Sequence, residues 1–366
     1  MKKIGIIHYL PLEFYPPVTN LIHLIKGHKD LEIKVWSCVN HKNRPLYPSD
    51  DTIRISRAVF PKSSDIRVVR FFKYLLFNIN CFIGLIRFNP NKICYFDSYS
   101  AWPVYWYCKL FGKNKELFIH FYEYFSPEWY KKGMTLVNYY HKLERSFLFD
   151  KASWISQTND QRINLFVADQ NGRFAKKMRA MPNYPPENWK KKLDKRTSSD
   201  QLRTIYIGSL SLKNTYLEAY CNWVISQKGN VQLDIYAYNL DDETIQYLRG
   251  LNSDDIVFKE KGVLYDDIPK LLSQYDVGVI LYKAYSENFK FNAPNKLFEY
   301  LTCNLQVWYS IELRGIAPYK SSQVIPINFE NLSTLNYKDF VNQKINESLH
   351  FTAEQALAPL LTQLCQ

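Results

Sequence analysis

The nine residues Ala293-Pro294-Asn295-Lys296-Leu297-Phe298-Glu299-Tyr300-Leu301 set a cation and a carboxylate one helical turn apart, just after a proline. Pro294 suits the start of a helix, whose first N–H groups lack intrahelical partners and can hold an anion. Leu297, Tyr300 and Leu301 fall at core-facing intervals, so Lys296 and Glu299 share another face. Such a helix start can grip phosphate and sugar hydroxyls together. The plain alternative leaves the pair on a solvated face, where it does no chemistry. A second reactive pair, His120 and Glu123, lies in Ile119-His120-Phe121-Tyr122-Glu123-Tyr124. Both residue types act as general bases when their pKa suits, although a lone histidine at a strand end is also a common structural feature. Asp97 and Tyr15 follow other predicted strands and are candidates for an acceptor site or cleft by the same positional logic.

These groups need elements to hold them. Asp276-Val277-Gly278-Val279-Ile280-Leu281-Tyr282 is a β-branched run of the kind that forms a buried parallel strand, and the loop 283–293 then leads into the Pro294 helix. In open α/β sheets, ligands bind at the carboxyl ends of strands, where that loop would lie. Residues 2–9 read as an opening strand, 10–19 as a proline-containing loop and 20–26 as a helix. Further strands are expected at 32–36, 93–96 and 117–121 with helical stretches between them, an alternation that implies parallel pairing. Residues 204–210 read as a strand entering a glycine turn at Gly208-Ser209, with Lys213 before a helix at 216–224. Strands at 231–236 and 256–259 follow, then a turn and helix at 262–272 that open on Gly262-Val263, and a last helix at 353–364.

With 366 residues and 46% hydrophobic content, two domains are expected. They run 1–184 and 204–345, joined by a charged linker at 185–203, with a terminal segment 346–366 that crosses back onto the first. Seven scattered cysteines, without metal-ligand spacing or a secretory signal, are expected as reduced thiols in a cytoplasmic protein. Residues 1–200 carry 33 Lys and Arg against 17 Asp and Glu, whereas 201–366 carry 14 against 18, so the +12 net charge belongs to the first half. No nucleic-acid-binding signature accompanies it, and nucleic acid is not an expected partner. The stretch 67–87 mixes Arg67, Arg70 and Lys73 with large apolar side chains. It reads either as a helix lying on an anionic membrane surface or as a core helix with its basic residues outside. Asp241-Asp242 and Asp254-Asp255 fall in expected loops, no metal site is expected, and the sequons at Asn331 and Asn346 are expected chance matches.

The motif 293–301, the strand before it and the turn at Gly208 resemble the donor half of GT-B glycosyltransferases, in particular the large retaining family numbered four. The resemblance covers most of the chain and is strongest from Gly262 to Val307. It implies an α/β architecture of two Rossmann-like parallel-sheet domains facing a central cleft. Glu299 matches the glutamate that holds the ribose hydroxyls of a sugar nucleotide in that family. Asn292, Pro294, Asn295, Lys296 and Leu297 match its donor segment, and Gly262 and Val263 match the turn that approaches the base. The family's second acid, eight positions before the first, is replaced by Phe291, with Glu287 or Asn292 as substitutes. Ser209 stands in place of an arginine directed at the diphosphate, while Lys213 remains. Pro16-Pro17-Val18-Thr19-Asn20 replaces a glycine-rich loop.

Residues 151–159 with Arg162 resemble the last strand and turn of the family's first domain, and His120 and Glu123 match residues that approach the reacting sugar. The implied activity is metal-independent transfer of a sugar, with retention and without a cofactor. The donor is a nucleoside-diphosphate sugar, a UDP-sugar favoured over a GDP-sugar. The acceptor is a glycan, above all a lipid-linked oligosaccharide in capsule or lipopolysaccharide synthesis at the inner face of the plasma membrane. A phosphorylase or epimerase, and a catalytically silent nucleotide- or glycan-binding subunit, are the rival readings.

Overall fold

The computed structural model describes residues 1–28, 30–40, 45–62, 64–133, 135–192, 201–238, 240–341 and 351–366. Residues 193–200 of the expected linker, and 342–350 with Asn346 and the expected end of the second domain, lie outside the described residues. The chain forms two compact units, Met1–Pro182 with Ala353–Gln366, and Asn183–Thr352.

The first unit is built on a parallel sheet of strands β1 (Lys2–Pro11), β2 (Leu31–Val39), β3 (Ile53–Val59), β4 (Lys92–Phe96), β5 (Glu116–Phe121), β6 (Trp154–Gln157) and β7 (Met178–Ala180), in the order β3-β2-β1-β4-β5-β6-β7. The inner strand β1 is buried on both faces, as the apolar run of Ile4, Ile6 and Ile7 requires. Ile4 and Ile6 pack with Leu21, Ile22 and Ile25 of the helix Pro16–Lys26 and with Leu357, Leu360 and Leu364 of the helix Ala353–Cys365. Ile7, on the other face, packs with Phe77 and Cys81 of the helix Arg67–Phe88 and with Val104 of the helix Ala101–Phe111.

Three expectations need correction in this unit. The segment 10–19 is not a loop: β1 continues to Pro11, and a short turn leads to a helix that begins at Pro16. Pro16 and Pro17 occupy the first helical turn, where a missing N–H costs nothing. Strand β3 was not expected, because it is an edge strand with half of its side chains toward water. The strand at 154–157 is not the last, since the three-residue edge strand β7 follows it.

The second unit carries a parallel sheet of β8 (Leu202–Ile207), β9 (Val231–Tyr236), β10 (Ile256–Lys259), β11 (Val277–Ile280), β12 (Gln306–Ser310) and β13 (Val324–Ile327), in the order β10-β9-β8-β11-β12-β13. From β8 the chain winds outward through β9 to β10, then returns to β11 and winds the other way. The β8–β11 boundary is therefore a topological switch point, the place where such sheets bind ligands. Trp189, within the stretch read as a linker, is buried and packs on Tyr265 in this unit's core.

Gly278 in β11 lets the helix Asn295–Thr302 sit close on the sheet. A Cβ there would lie 2.2 Å from the Tyr300 ring, and Tyr300 Oη in turn accepts the Ile207 N–H at 3.1 Å. Gly278→Ala should therefore lower stability by about 1–3 kcal/mol through overpacking. Urea unfolding checks this; an unchanged midpoint would mean that the helix does not depend on this approach.

Candidate functional site

The second unit places the Lys296 segment at its switch point. Strand β8 ends at Ile207, and Gly208 turns the chain at φ +120°, a conformation that side-chain-bearing residues rarely adopt. The loop that follows is stitched to the end of β11. Tyr216 N–H donates to the Leu281 carbonyl at 2.8 Å, and Lys283 N–H donates to the Asn214 carbonyl at 2.9 Å. Pro294 is the extended residue just before the helix Asn295–Thr302.

Lys296 and Glu299 do not lie on a solvated face: they are 6% and 8% exposed. The ammonium sits over the Tyr206 ring at 4.0 Å and the Tyr282 ring at 4.6 Å, and 3.4 Å from where a Cβ on Gly208 would be. Among the described residues no acceptor meets Lys296 Nζ. Burial raises the Glu299 carboxyl to about 7, with Lys296 opposing the shift. The site thus holds a cation with unmet donors and, one turn away, a carboxyl that titrates near neutrality.

The other residues expected at a donor site differ in exposure. Ser209 and Lys213 are exposed on the loop after β8, and Tyr206 Oη donates to the Ser209 carbonyl at 2.6 Å. Gly262 has φ +63°, and Val263 beside it packs against the same core as Leu297. Asn292, Asn295 and Phe291 are half-buried, and Glu287 is exposed at the head of a short helix, Glu287–Lys290. Leu297 needs correction as a ligand contact: it is fully buried, and its N–H is taken by the Pro294 carbonyl at 2.9 Å. Asp241 caps the helix Asp242–Gly250 by accepting the Thr244 N–H, and Asp255 accepts from Gly229 N–H, so these acids serve local structure. Tyr206 and Tyr282, which frame Lys296, were missed; each is an aromatic at the end of an aliphatic strand.

In the first unit, register aligns His8, Phe96, His120 and Ser156 as neighbours across β1, β4, β5 and β6. The His120 Nδ1 atom lies 2.9 Å from Ser156 Oγ, whose hydroxyl donates to the Ile119 carbonyl at 3.3 Å. The network therefore assigns the proton to Nδ1 and leaves Nε2 a lone pair, without a partner among the described residues. Burial, and secondarily Arg162, push the His120 imidazole down to about 3. That corrects its role: a group so weakly basic is a neutral hydrogen-bond acceptor and a poor general base at neutral pH.

Asp97 has φ +54° and accepts the Tyr122 N–H at 3.0 Å, while burial raises its carboxyl to about 8. Tyr15 packs edge-on to His8 at 4.6 Å and against Tyr122 at 5.8 Å. His120 packs on the same Tyr122 ring at 4.7 Å. His120, Asp97 and Tyr15 thus gather around Tyr122. Glu123 is more exposed and pairs with the buried Arg162 at 3.2 Å. His8 was not anticipated; its signal was the register of β1 with β4, which no single strand reveals. On the helix Arg67–Phe88, Arg67 and Arg70 are exposed, but Lys73 is drawn into an ion pair with Asp65 at 2.6 Å and is not free for a headgroup.

The raised carboxyl of Glu299 makes a stability prediction. Its folded-state pKa of about 7 exceeds the ordinary 4.5, so between those values the folded chain holds a proton that the unfolded chain releases. Stability contributed by this group is full below about 4.5, falls as pH rises, and levels off above about 7. Glu299→Gln should therefore gain stability relative to the parent between pH 5 and pH 8, read from urea midpoints. A constant difference across that range would show that Glu299 is not desolvated.

No family model matches the sequence, and no curated protein matches it. Solved structures do resemble it. HepE of Anabaena, in complex with UDP and glucose, superposes with TM-score 0.66 at 13% identity, covering 100% of this chain and 99% of that one. A putative UDP-N-acetylglucosamine 2-epimerase from Listeria monocytogenes gives 0.62 at 12% identity, covering 100% and 96%. The lipopolysaccharide outer core galactosyltransferase WaaB, apo form, gives 0.58 at 13% identity, covering 99% and 94%. The two parallel-sheet units, and the full-length match to these structures, show that the chain has the α/β GT-B fold.

Proposed function

We propose that this protein is a glycosyltransferase that takes a sugar from a nucleoside diphosphate, UDP above GDP, and passes it to a glycan. The observation that carries the reading is Lys296, a buried ammonium at the switch point without an acceptor among the described residues, followed one turn later by Glu299. A diphosphate would supply the missing acceptors, and ribose hydroxyls would donate to the Glu299 carboxylate. The presence of UDP in HepE, and the galactosyltransferase activity in the name of WaaB, support this choice of donor and reaction.

In this reading the bond between the sugar's anomeric carbon and the diphosphate breaks, both electrons leaving with the phosphate oxygen. The acceptor oxygen bonds that carbon with retained configuration, and its proton passes to the departing phosphate. Lys296 stabilises the charge that develops there, and Lys213 and the Asn295–Thr302 helix start add to it, so that no divalent cation is required. His120 Nε2 accepts a hydrogen bond from another hydroxyl of the acceptor, and Asp97, protonated at neutral pH, donates one. Tyr15 and Glu123 complete acceptor recognition. The acceptor is a lipid-linked oligosaccharide of a cell-surface polysaccharide, elongated on the cytoplasmic face of the membrane. A second reading, epimerisation of a UDP-sugar, is favoured by one observation: two of the similar folds are described as UDP-N-acetylglucosamine 2-epimerases, one of them as putative.

Calorimetry with UDP, GDP and their sugars, with and without chelator, tests the donor site. Lys296→Met should lose about 10–100-fold in UDP affinity, the worth of a hydrogen bond to a charged group, while raising the melting temperature of the free protein, because an unpaired buried charge is removed. Glu299→Ala should weaken UDP as well, and unchanged affinity in both variants would overturn the site. Incubation with UDP-N-acetylglucosamine separates the reactions. Conversion to its 2-epimer without an acceptor would replace transfer by epimerisation, and binding without turnover under all acceptors would indicate a silent subunit.

A further inference from the structure

The helix Arg67–Phe88 turns one face inward and leaves another without a partner. Tyr74, Phe77, Cys81, Leu85 and Phe88 are buried in the core, and Asn78 donates to Tyr140 Oη at 3.1 Å. The opposite stripe is Val68, Phe72, Leu76, Ile79, Ile83 and Ile86, at successive helical spacings of three and four. All six are exposed, Phe72 at 55% and Leu76 at 57%. A stripe with this content would ordinarily be covered. Exposed cations bracket it, with Arg67 and Arg70 at one end and Arg87 at the other. The neighbouring helix Ala101–Phe111 packs alongside, Trp102 meeting Phe82 at 6.3 Å, and ends in exposed Lys109, Leu110 and Phe111. Neither helix contains an aspartate or a glutamate.

We propose that this face docks on an anionic lipid bilayer, the helix lying in the interfacial plane with its apolar stripe in the acyl boundary and its arginines among the headgroups. Charge complementarity selects that occupant. A second copy packed on the same stripe would set Arg67 and Arg70 against Arg87 in an antiparallel pairing, or against their own copies in a parallel one, with no acid on either helix to relieve them. Spanning is also disfavoured. At about 33 Å the helix is long enough, and its composition meets the criterion for crossing a membrane, but crossing would pull Tyr74, Phe77, Asn78 and Leu85 out of the core. Lying flat satisfies both faces at once. The inference is independent of the nucleotide site, because it uses no residue of the second unit.

The test is co-sedimentation of the full chain with phosphatidylcholine vesicles and with vesicles that also contain phosphatidylglycerol, at low and high salt. The parent should bind the phosphatidylglycerol vesicles and retain part of that binding at high salt, since apolar insertion is not screened. Phe72→Ser with Leu76→Ser should reduce the partition by about tenfold or more. Arg67→Glu with Arg70→Glu should abolish the preference for phosphatidylglycerol. UDP binding and the melting curve of both variants should match the parent, showing that the fold is intact. Absence of parent binding to either vesicle, or equal binding by the serine variant, would overturn the proposal. A concentration-dependent dimer that the serine variant loses, without vesicle binding, would assign the stripe to a second copy instead.

Discussion

An ammonium taken out of water must regain its hydrogen bonds, and Lys296 meets no acceptor among the described residues. Two tyrosine faces offset part of its desolvation, because the negative face of an aromatic ring attracts a cation, but a ring is not an acceptor. The second unit spends considerable structure to keep the group there. Gly208 clears space beside the ammonium, Gly278 lets the helix descend onto β11, and Tyr300 ties that helix to β8 through Ile207. Each of these features would be needless if Lys296 only faced solvent. Together they hold at the switch point of the sheet a charge that is unmet among the described residues, a pre-organised arrangement whose cost falls on the free protein.

Glu299 is subject to the same constraint from the opposite sign. Burial favours its neutral form and Lys296 favours its charged form, so the two effects leave it titrating near neutrality. A ligand that donates hydroxyl protons to the carboxylate would tip that balance toward ionisation, and its affinity would then rise as pH increases through about 7 before levelling off. The lysine and the glutamate are thus coupled through charge, although no direct ion pair joins them among the described residues.

The fold was legible where a buried face wrote a clear apolar period or run. Residues 231–236, 256–259 and 276–282 announce strands because nothing polar interrupts their inward faces, and the strand-loop-helix order around Pro294 placed Lys296 correctly in the chain. The two edge strands of the first sheet, and strands β12 and β13 of the second, were not legible. β3 shows water half of its side chains, and β7 is too short for any period, so neither leaves a pattern. Proline misled at residues 16 and 17, where it starts a helix and does not mark a loop. Within the site, spacing identified Lys296 and Glu299 but could not report their burial, which depends on Tyr206, Tyr282 and Tyr300 converging from separate strands and a helix. Likewise His120 reads as a base in sequence, whereas its desolvation comes from neighbours on β1, β4 and β6.

The first unit resolves its polar groups differently. Glu123 and Arg162 satisfy one another, and His120 uses Ser156 to fix its tautomer, while Asp97 is held at a positive φ that an aspartate adopts only when its surroundings insist. What insists is the Tyr122 N–H, which the Asp97 carboxyl accepts at the end of β5. The strain at Asp97 and the bare Nε2 of His120 therefore occur at the same strand ends, around one tyrosine. A purely structural cluster would be expected to relax the first and pair the second. Their persistence together marks this edge of the sheet as more than a packing cluster, on geometry that the Lys296 site does not share.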